Sequence, residues 1–231
     1  MEGFVSRLAV KGSEALFPRF CARCSKEGSV WCQSCDESYL LHQAKASCPF
    51  CGQGHLNQTC LKCSEQTYLD GVFSLTYYAN PMIREVLTAW KYHSDQQITE
   101  LVKKLIYRYG SRIDWLDSPF EVSYVPLHIS RLRARSFDQA EVIAEAVAAL
   151  FVKKSKRLLK RSQKTSPQAK KDHQVRLIGD MDGIFEVIQP GVERVILCDD
   201  VFTSGATMDA AAKVLKETGT KTVWGFTIAQ G

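Results

Sequence analysis

Val195-Ile196-Leu197-Cys198-Asp199-Asp200-Val201-Phe202-Thr203-Ser204-Gly205-Ala206-Thr207 decides the fold. Val195 to Cys198 is a continuous apolar run with the length and β-branching of a strand buried on both faces. Two acids end it. A turn of hydroxyl and small residues follows, and Met208 to Glu217 then has the composition of a helix, closed by Gly219. Backbone N–H groups at a helix N-terminus carry partial positive charge and suit a phosphate. Gly205 and Ala206 allow close backbone approach, and Thr203, Ser204 and Thr207 add hydroxyl donors. Asp199 and Asp200, at the carboxyl end of the strand, can accept from two vicinal hydroxyls of a ribose. Ligands of open α/β sheets bind at that edge.

Working outward, Val72 to Tyr78 alternates as a strand. Pro81 opens a helix with Ile83, Val86, Leu87 and Trp90 on one face. Ile98, Leu101, Val102, Leu105 and Ile106 repeat the helical spacing. Val122 to Val125 is a short strand stopped by Pro126. Gln139 to Leu150 is a helix with Val142, Ile143, Ala146 and Leu150 on one face. Thr222 to Ile228 is a final strand. Strands alternating with helices predict an α/β architecture with a mainly parallel sheet flanked by helices.

The chain has 231 residues, 45% hydrophobic and 24% charged, with a net charge of +5. That fits one ordinary core plus a small satellite module. The charge permits a nucleic-acid or phosphate partner without demanding one. Arg7, Lys11 and Glu14 interrupt the apolar residues of Met1 to Phe20, so no secretory signal is expected there. No stretch runs to the eighteen apolar residues of a membrane span. The expected compartment is the cytoplasm.

Eight of the nine cysteines form four Cys-x-x-Cys pairs: Cys21 and Cys24, Cys32 and Cys35, Cys48 and Cys51, Cys60 and Cys63. In a reducing compartment such pairs read as metal ligands. Each turn presents two sulfurs to one ion, so two turns close one tetrahedral site and eight cysteines make two zinc sites. All-cysteine ligation leaves no open position, which points to structural zinc. Pairing can be sequential or cross-braced, and the near-duplicate spacing favours sequential. His42 and His55 are the alternative ligands inside this segment. Residues 21–63 are too poor in apolar runs to fold without metal. The expected divisions are an N-terminal helix over 1–18, a double four-cysteine module over 19–66, and an α/β domain over 67–231. Cys198 reads as a small core residue.

Basic residues gather in two places. Arg131, Arg133 and Arg135 follow the strand ended by Pro126. Lys153, Lys154, Lys156, Arg157, Lys160, Arg161, Lys164, Lys170 and Lys171 form a second group with no acid between Lys153 and Lys171. As a group they suit an anionic ligand. The second group contains no aromatic residue, so platforms for stacking single-stranded bases must come from elsewhere. Phe137, Phe202, Trp31 and Phe50 are the candidates.

The loop Asp199 to Thr207 resembles the 5-phosphoribosyl-1-pyrophosphate (PRPP) motif of type I phosphoribosyltransferases. Val125-Pro126-Leu127 followed by Arg135-Ser136-Phe137-Asp138-Gln139-Ala140 resembles the ComF-family signature of Val-Pro and Arg-Gly-Phe-Asn-Gln-Ala. Lys164-Thr165-Ser166-Pro167-Gln168, Gly183-Ile184-Phe185 and Trp90-Lys91-Tyr92 resemble further ComF elements in the family's order, and an N-terminal cysteine module is typical of the family. Ser136 and Asp138 stand where Gly and Asn are usual, His128 where a second Pro is usual, and Asp180 where Asn is usual. Arg176 is displaced by one position.

The resemblance implies a type I phosphoribosyltransferase-like fold and a role with incoming single-stranded DNA in natural transformation. It implies that Asp199 and Asp200 hold ribose hydroxyls and that Thr203, Ser204, Gly205, Ala206 and Thr207 cradle the 5-phosphate. Mg²⁺ would accompany any PRPP. Arg131, Arg133, Arg135, Lys164 and Arg176 would face a pyrophosphate or a nucleic-acid backbone. Three functions stay open on these residues: a DNA-processing accessory protein, an active phosphoribosyltransferase, and a scaffold that binds a helicase or uptake protein through the cysteine module.

Overall fold

The computed structural model describes residues 20–21, 23–29, 31–38, 43–54, 56–92, 96–110, 120–161 and 183–231. The expected helix over 1–18 lies outside these residues, as do His42, His55, Lys164, Arg176 and Asp180.

Two short helices, α1 (Gln33–Ser38) and α2 (Leu61–Ser64), belong to the cysteine-rich segment. Then follow β1 (Gly71–Tyr77), α3 (Pro81–Tyr92), α4 (Gln96–Tyr109), β2 (Glu121–Tyr124), α5 (Ile129–Arg135) and α6 (Gln139–Leu150). The chain continues through β3 (Leu159–Arg161), β4 (Phe185–Val187), β5 (Arg194–Phe202), α7 (Ala206–Glu217) and β6 (Thr222–Gln230). β1, β6, β5 and β2 form a four-stranded sheet in that order, parallel throughout. β3 and β4 pair separately and antiparallel. The expected α/β architecture with a mainly parallel sheet and flanking helices is the one observed.

The central strand explains the two-faced core. Ile196 and Cys198 point into a cluster with Phe73, Ile83, Trp90, Ile106, Ile143 and Phe226, under α3, α4 and α6. Val195 and Leu197 point the other way, to Leu158, Leu159, Phe185, Met208 and Leu215, under α7 and the small β-pair. This is the period-two alternation of a strand buried on both faces. Cys198 is buried in the core, as its setting in the apolar run implied. Gly225 in β6 belongs to the same packing, because a Cβ there would collide with the Met208 sulfur.

Three elements differ from the sequence reading. β5 does not stop at the acid pair but runs on to Phe202, since its parallel partner continues beside it through Val201↔Ala229 and Phe202↔Gln230. The buried face of α6 is Ile143, Ala144, Ala146, Val147 and Ala148, while Val142 and Leu150 are only half-buried. That helix packs on β5, β2 and α4 together, so small residues rather than one apolar stripe make the contact. The helix α5 follows Pro126 and was not evident as a periodic pattern. His128 caps its start by accepting from the Ser130 amide, and Ser136 ends it in the left-handed region at φ +65°.

The outer edge of β1 is covered by the cysteine-rich segment. Gln58 bridges Gly71 and Gln43 bridges Thr76, both antiparallel. The Thr59 amide donates to the Asp70 carbonyl and the Val72 amide to the Asn57 carbonyl, each at 2.9 Å. These contacts occupy both ends of an edge that would otherwise be open to a second chain.

Candidate functional site

The carboxyl ends of β5 and β2 and the N-terminus of α7 meet at one place, and the motif residues gather there. Asp199 and Asp200 are adjacent, and the Asp200 amide donates to Asp199 Oδ1 at 2.8 Å. Burial and the neighbouring Asp200 charge push the Asp199 carboxyl well above the usual carboxylate range. Lys91 Nζ, from the last turn of α3, stands 2.6 Å from Asp200 Oδ2.

Arg161, at the end of β3, supplies charge close to Asp199. Its guanidinium lies 5.4 Å from the centre of the Phe185 ring. Burial and the like charge of Arg131 hold its pKa below the ordinary arginine value, while Asp199 acts in the opposite sense. Arg161 thus feels both the charge of Arg131, from a separate element, and that of the acid pair.

The loop after β5 is an open turn leading into a helix of 12 residues. Thr203 and Ser204 are exposed, Ala206 and Thr207 half-buried, and Gly205 buried. Gly205 caps the helix at φ +79° and no side chain caps it. The first helical N–H groups have no partner within a helix; here the Ala206 amide reaches Ser204 Oγ at 3.4 Å. A Cβ on Gly205 would lie 2.7 Å from the Phe202 ring, so glycine is required both by backbone angle and by space. Asp209, in the first turn, faces away from the opening. It accepts from Thr67 Oγ1 at 2.5 Å and from the Tyr68 amide at 2.6 Å.

The motif around Asp138 supports this edge from below. Asp138 caps α6 through the Ala140 amide at 3.1 Å, and its second oxygen accepts from the Leu127 amide at 2.9 Å. One carboxylate therefore fixes both the helix start and the chain leaving β2. Burial raises its pKa. Phe137 packs on Trp90 with ring centres 5.7 Å apart, and Gln139 Nε2 donates to the Trp90 carbonyl at 3.4 Å. These contacts position the end of α3, and hence Lys91.

Of the sequence-predicted residues, Asp199, Asp200 and Thr203 to Thr207 follow one another along one edge, and Arg131 is exposed on α5. Arg133 is exposed on α5, and Arg135 is half-buried and donates to Gln139 Oε1 at 3.2 Å. Part of the second basic group has local partners: Lys156 pairs with Glu121 at 3.1 Å, Lys160 with Glu186 at 2.9 Å, and Lys153 donates to the Phe120 carbonyl at 2.5 Å. Sequence alone gives Lys91 no role of its own and Arg161 only a share in the anion-binding basic group. Lys91 sat inside the Trp90-Lys91-Tyr92 motif and Arg161 inside the basic run, but their acidic neighbours are distant in sequence.

The eight paired cysteines form two clusters, Cys21/Cys24/Cys32/Cys35 and Cys48/Cys51/Cys60/Cys63, with all sulfurs of each within 4.8 Å of one another. Grouping is sequential. The Cys24–Cys32 and Cys51–Cys60 sulfurs are 3.6 and 3.7 Å apart. A tetrahedral zinc with Zn–S of about 2.3 Å has a sulfur–sulfur edge of about 3.8 Å, so the donor set fits zinc. Burial acts upward on Cys21 and Cys48, but amide donors, among them those of Cys32 and Cys60, bring each down to about 6. Burial and hydrogen bonds that the Cys35 and Cys63 thiols donate to the other three sulfurs push them up to about 12.

Fold and site together define a parallel-sheet α/β protein with an acid pair and an open helix N-terminus at the carboxyl edge, and two cysteine clusters able to hold metal. The chain is 30% identical over 197 residues to the competence protein ComFC of Bacillus subtilis, covering 81% of this chain and 78% of the relative. It is 25% identical over 211 residues to the competence protein ComFC of Streptococcus pneumoniae, covering 88% and 89%. Competence protein F of Haemophilus influenzae matches at 25% over 195 residues, covering 78% and 85%. No family model matches the chain. The chain belongs to the ComF family. Among the described residues no helix is long and apolar enough to cross a membrane.

Proposed function

We propose that this chain is a cytoplasmic DNA-uptake protein that binds a 5-phosphorylated ribose, in the form of Mg²⁺-PRPP, on a phosphoribosyltransferase-like domain and handles single-stranded DNA. The competence role comes from relatives named as competence proteins. The observation that carries the ligand is the acid pair Asp199–Asp200 followed, after a short turn, by an αL glycine N-cap that offers no side chain to the first helical amides. The vicinal hydroxyls of a ribose match two adjacent carboxylates. A 5-phosphate matches the amides of Ser204 to Thr207 and the hydroxyls of Thr203, Ser204 and Thr207. Mg²⁺ would neutralise the pyrophosphate and is itself brought by the ligand. Two structural zinc ions would hold the cysteine clusters closed.

Single-stranded DNA would follow the exposed arginines of α5 and the basic run toward Lys164, and a helicase or another uptake protein would deliver it. The test compares wild type with Asp199→Asn/Asp200→Asn. PRPP with Mg²⁺ and an oligonucleotide are titrated separately at fixed salt. The proposal expects the double variant to lose PRPP and keep DNA, with steep salt dependence of the DNA arm. A double variant that binds PRPP as wild type does would contradict the assigned site.

The Arg161 guanidinium, which feels the charges of both Arg131 and Asp199, favours a second reading, an active transferase. Guanidinium groups there would stabilise charge on departing pyrophosphate as the C1–O bond breaks and a nucleophile bonds to C1. Pyrophosphate release in the presence of candidate amines or bases tests it.

A further inference from the structure

We infer that the second cysteine cluster does more than close the fold: through Phe50, its metal-bound state sets how tightly the Thr203–Thr207 loop holds a phosphorylated sugar. The inference rests on the phosphate-loop reading above. Phe50 sits inside the Cys48-Pro49-Phe50-Cys51 turn, between two ligands of the cluster. Its amide faces the Cys48 sulfur together with those of Cys51 and Cys60. Its ring leaves the cluster and meets Phe202 edge to face, with centres 5.7 Å apart and planes at 77°.

Phe202 is the last residue of β5 and is buried. Its ring lies against Gly205, where a Cβ would come within 2.7 and 2.8 Å of it and 3.2 Å from the Phe50 ring. Both rings therefore press on the one residue that must hold the left-handed angle opening α7. The path from metal to loop is short: sulfur, Phe50 backbone, Phe50 ring, Phe202 ring, Gly205. The first cluster has no such arm among the described residues, since its aromatic neighbour Trp31 packs on the main core instead.

Metal bonds fix a Cys-x-x-Cys turn that has almost no core of its own. While they hold, the Phe50 ring is kept on Phe202 and the cap on α7 is preorganised. When they are lost, the turn relaxes, the ring withdraws, and the loop must be ordered at the moment of binding. Zinc and sugar phosphate then bind cooperatively, and thermodynamic linkage makes the effect mutual.

The test uses the full-length, two-zinc protein with ribose 5-phosphate as probe. Affinity is measured by calorimetry, loop order by amide hydrogen exchange at 203–207 without ligand, and metal content by elemental analysis, in wild type, Phe50→Ala and Phe50→Tyr. Phe50→Ala is expected to retain two zinc ions, to lose about tenfold in affinity and to exchange faster at the loop, while Phe50→Tyr restores both. In wild type, saturating ribose 5-phosphate is expected to tighten one of the two zinc ions by the same factor against a competing chelator. That arm needs no variant and decides the matter if Phe50→Ala loses zinc. Unchanged loop exchange in zinc-replete Phe50→Ala, or zinc affinity unmoved by bound ribose 5-phosphate, overturns the coupling. A wild type that binds no ribose 5-phosphate instead contradicts the phosphate-loop reading, and the exchange comparison still judges the Phe50 contact separately.

Discussion

Lys91 Nζ lies 2.6 Å from Asp200 Oδ2, an ion pair between the end of α3 and the carboxyl end of β5. It holds one of two adjacent carboxylates in place and offsets part of their mutual repulsion. Removing it leaves Asp200 free to turn and raises the cost of ionising Asp199 further, since Lys91 also acts on that group. Lys91→Met is expected to weaken ribose 5-phosphate binding about tenfold, with Lys91→Arg intermediate. Calorimetry on the three proteins checks this, and equal affinities would show that Lys91 does not position the pair.

The acid pair also sets a pH dependence. The Asp199 carboxyl is pushed above its ordinary value by burial and by Asp200, so folding favours its neutral form. Its contribution to stability is fully present below the unfolded carboxylate pKa and is lost as pH rises through the raised folded value. Asp199→Asn removes that loss. The variant is expected to be more stable than wild type by on the order of 1 kcal/mol at neutral pH, the gap widening with rising pH, while sugar-phosphate binding falls. Thermal unfolding of both proteins at pH 5.5, 7 and 8.5 measures it.

Gly205 is the backbone hinge of the loop. Alanine there would have to hold φ +79° and would drive its Cβ into the Phe202 ring. Gly205→Ala is expected to cost about 2 kcal/mol or more and to abolish ligand binding. The midpoint of urea unfolding reports the first effect and calorimetry the second.

Metal loading should move protons. Cys21 and Cys48 are brought to about 6, whereas Cys35 and Cys63 are pushed up to about 12 without metal. At pH 7 the latter two hold protons that zinc must displace, so zinc affinity should rise with pH. Zinc titrations in two buffers of different ionisation enthalpy are expected to differ in heat by at least one proton per site. Identical heats would contradict it.

Much of this arrangement could be read from the chain because it is local. The run Val195–Cys198 carries its own signal of burial on two faces, and the cysteine spacing carries its own signal of ligation. What the sequence did not disclose depends on contacts across space. Lys91 meets Asp200 only because Phe137 and Gln139 pack on Trp90, and Arg161 nears Asp199 only through the short pairing of β3 with β4. A strand of three residues has too few positions to show alternation. Ser136 stands where a glycine is usual in the family, and its φ of +65° gives the reason.

The most direct test is a crystal of the zinc-loaded protein soaked in ribose 5-phosphate. The account predicts the phosphate within hydrogen-bond distance of the amides of Ser204 to Thr207, with the two ring hydroxyls on Asp199 and Asp200. A loop left bare at saturating ligand, or the sugar phosphate lodged elsewhere on the molecule, would contradict it.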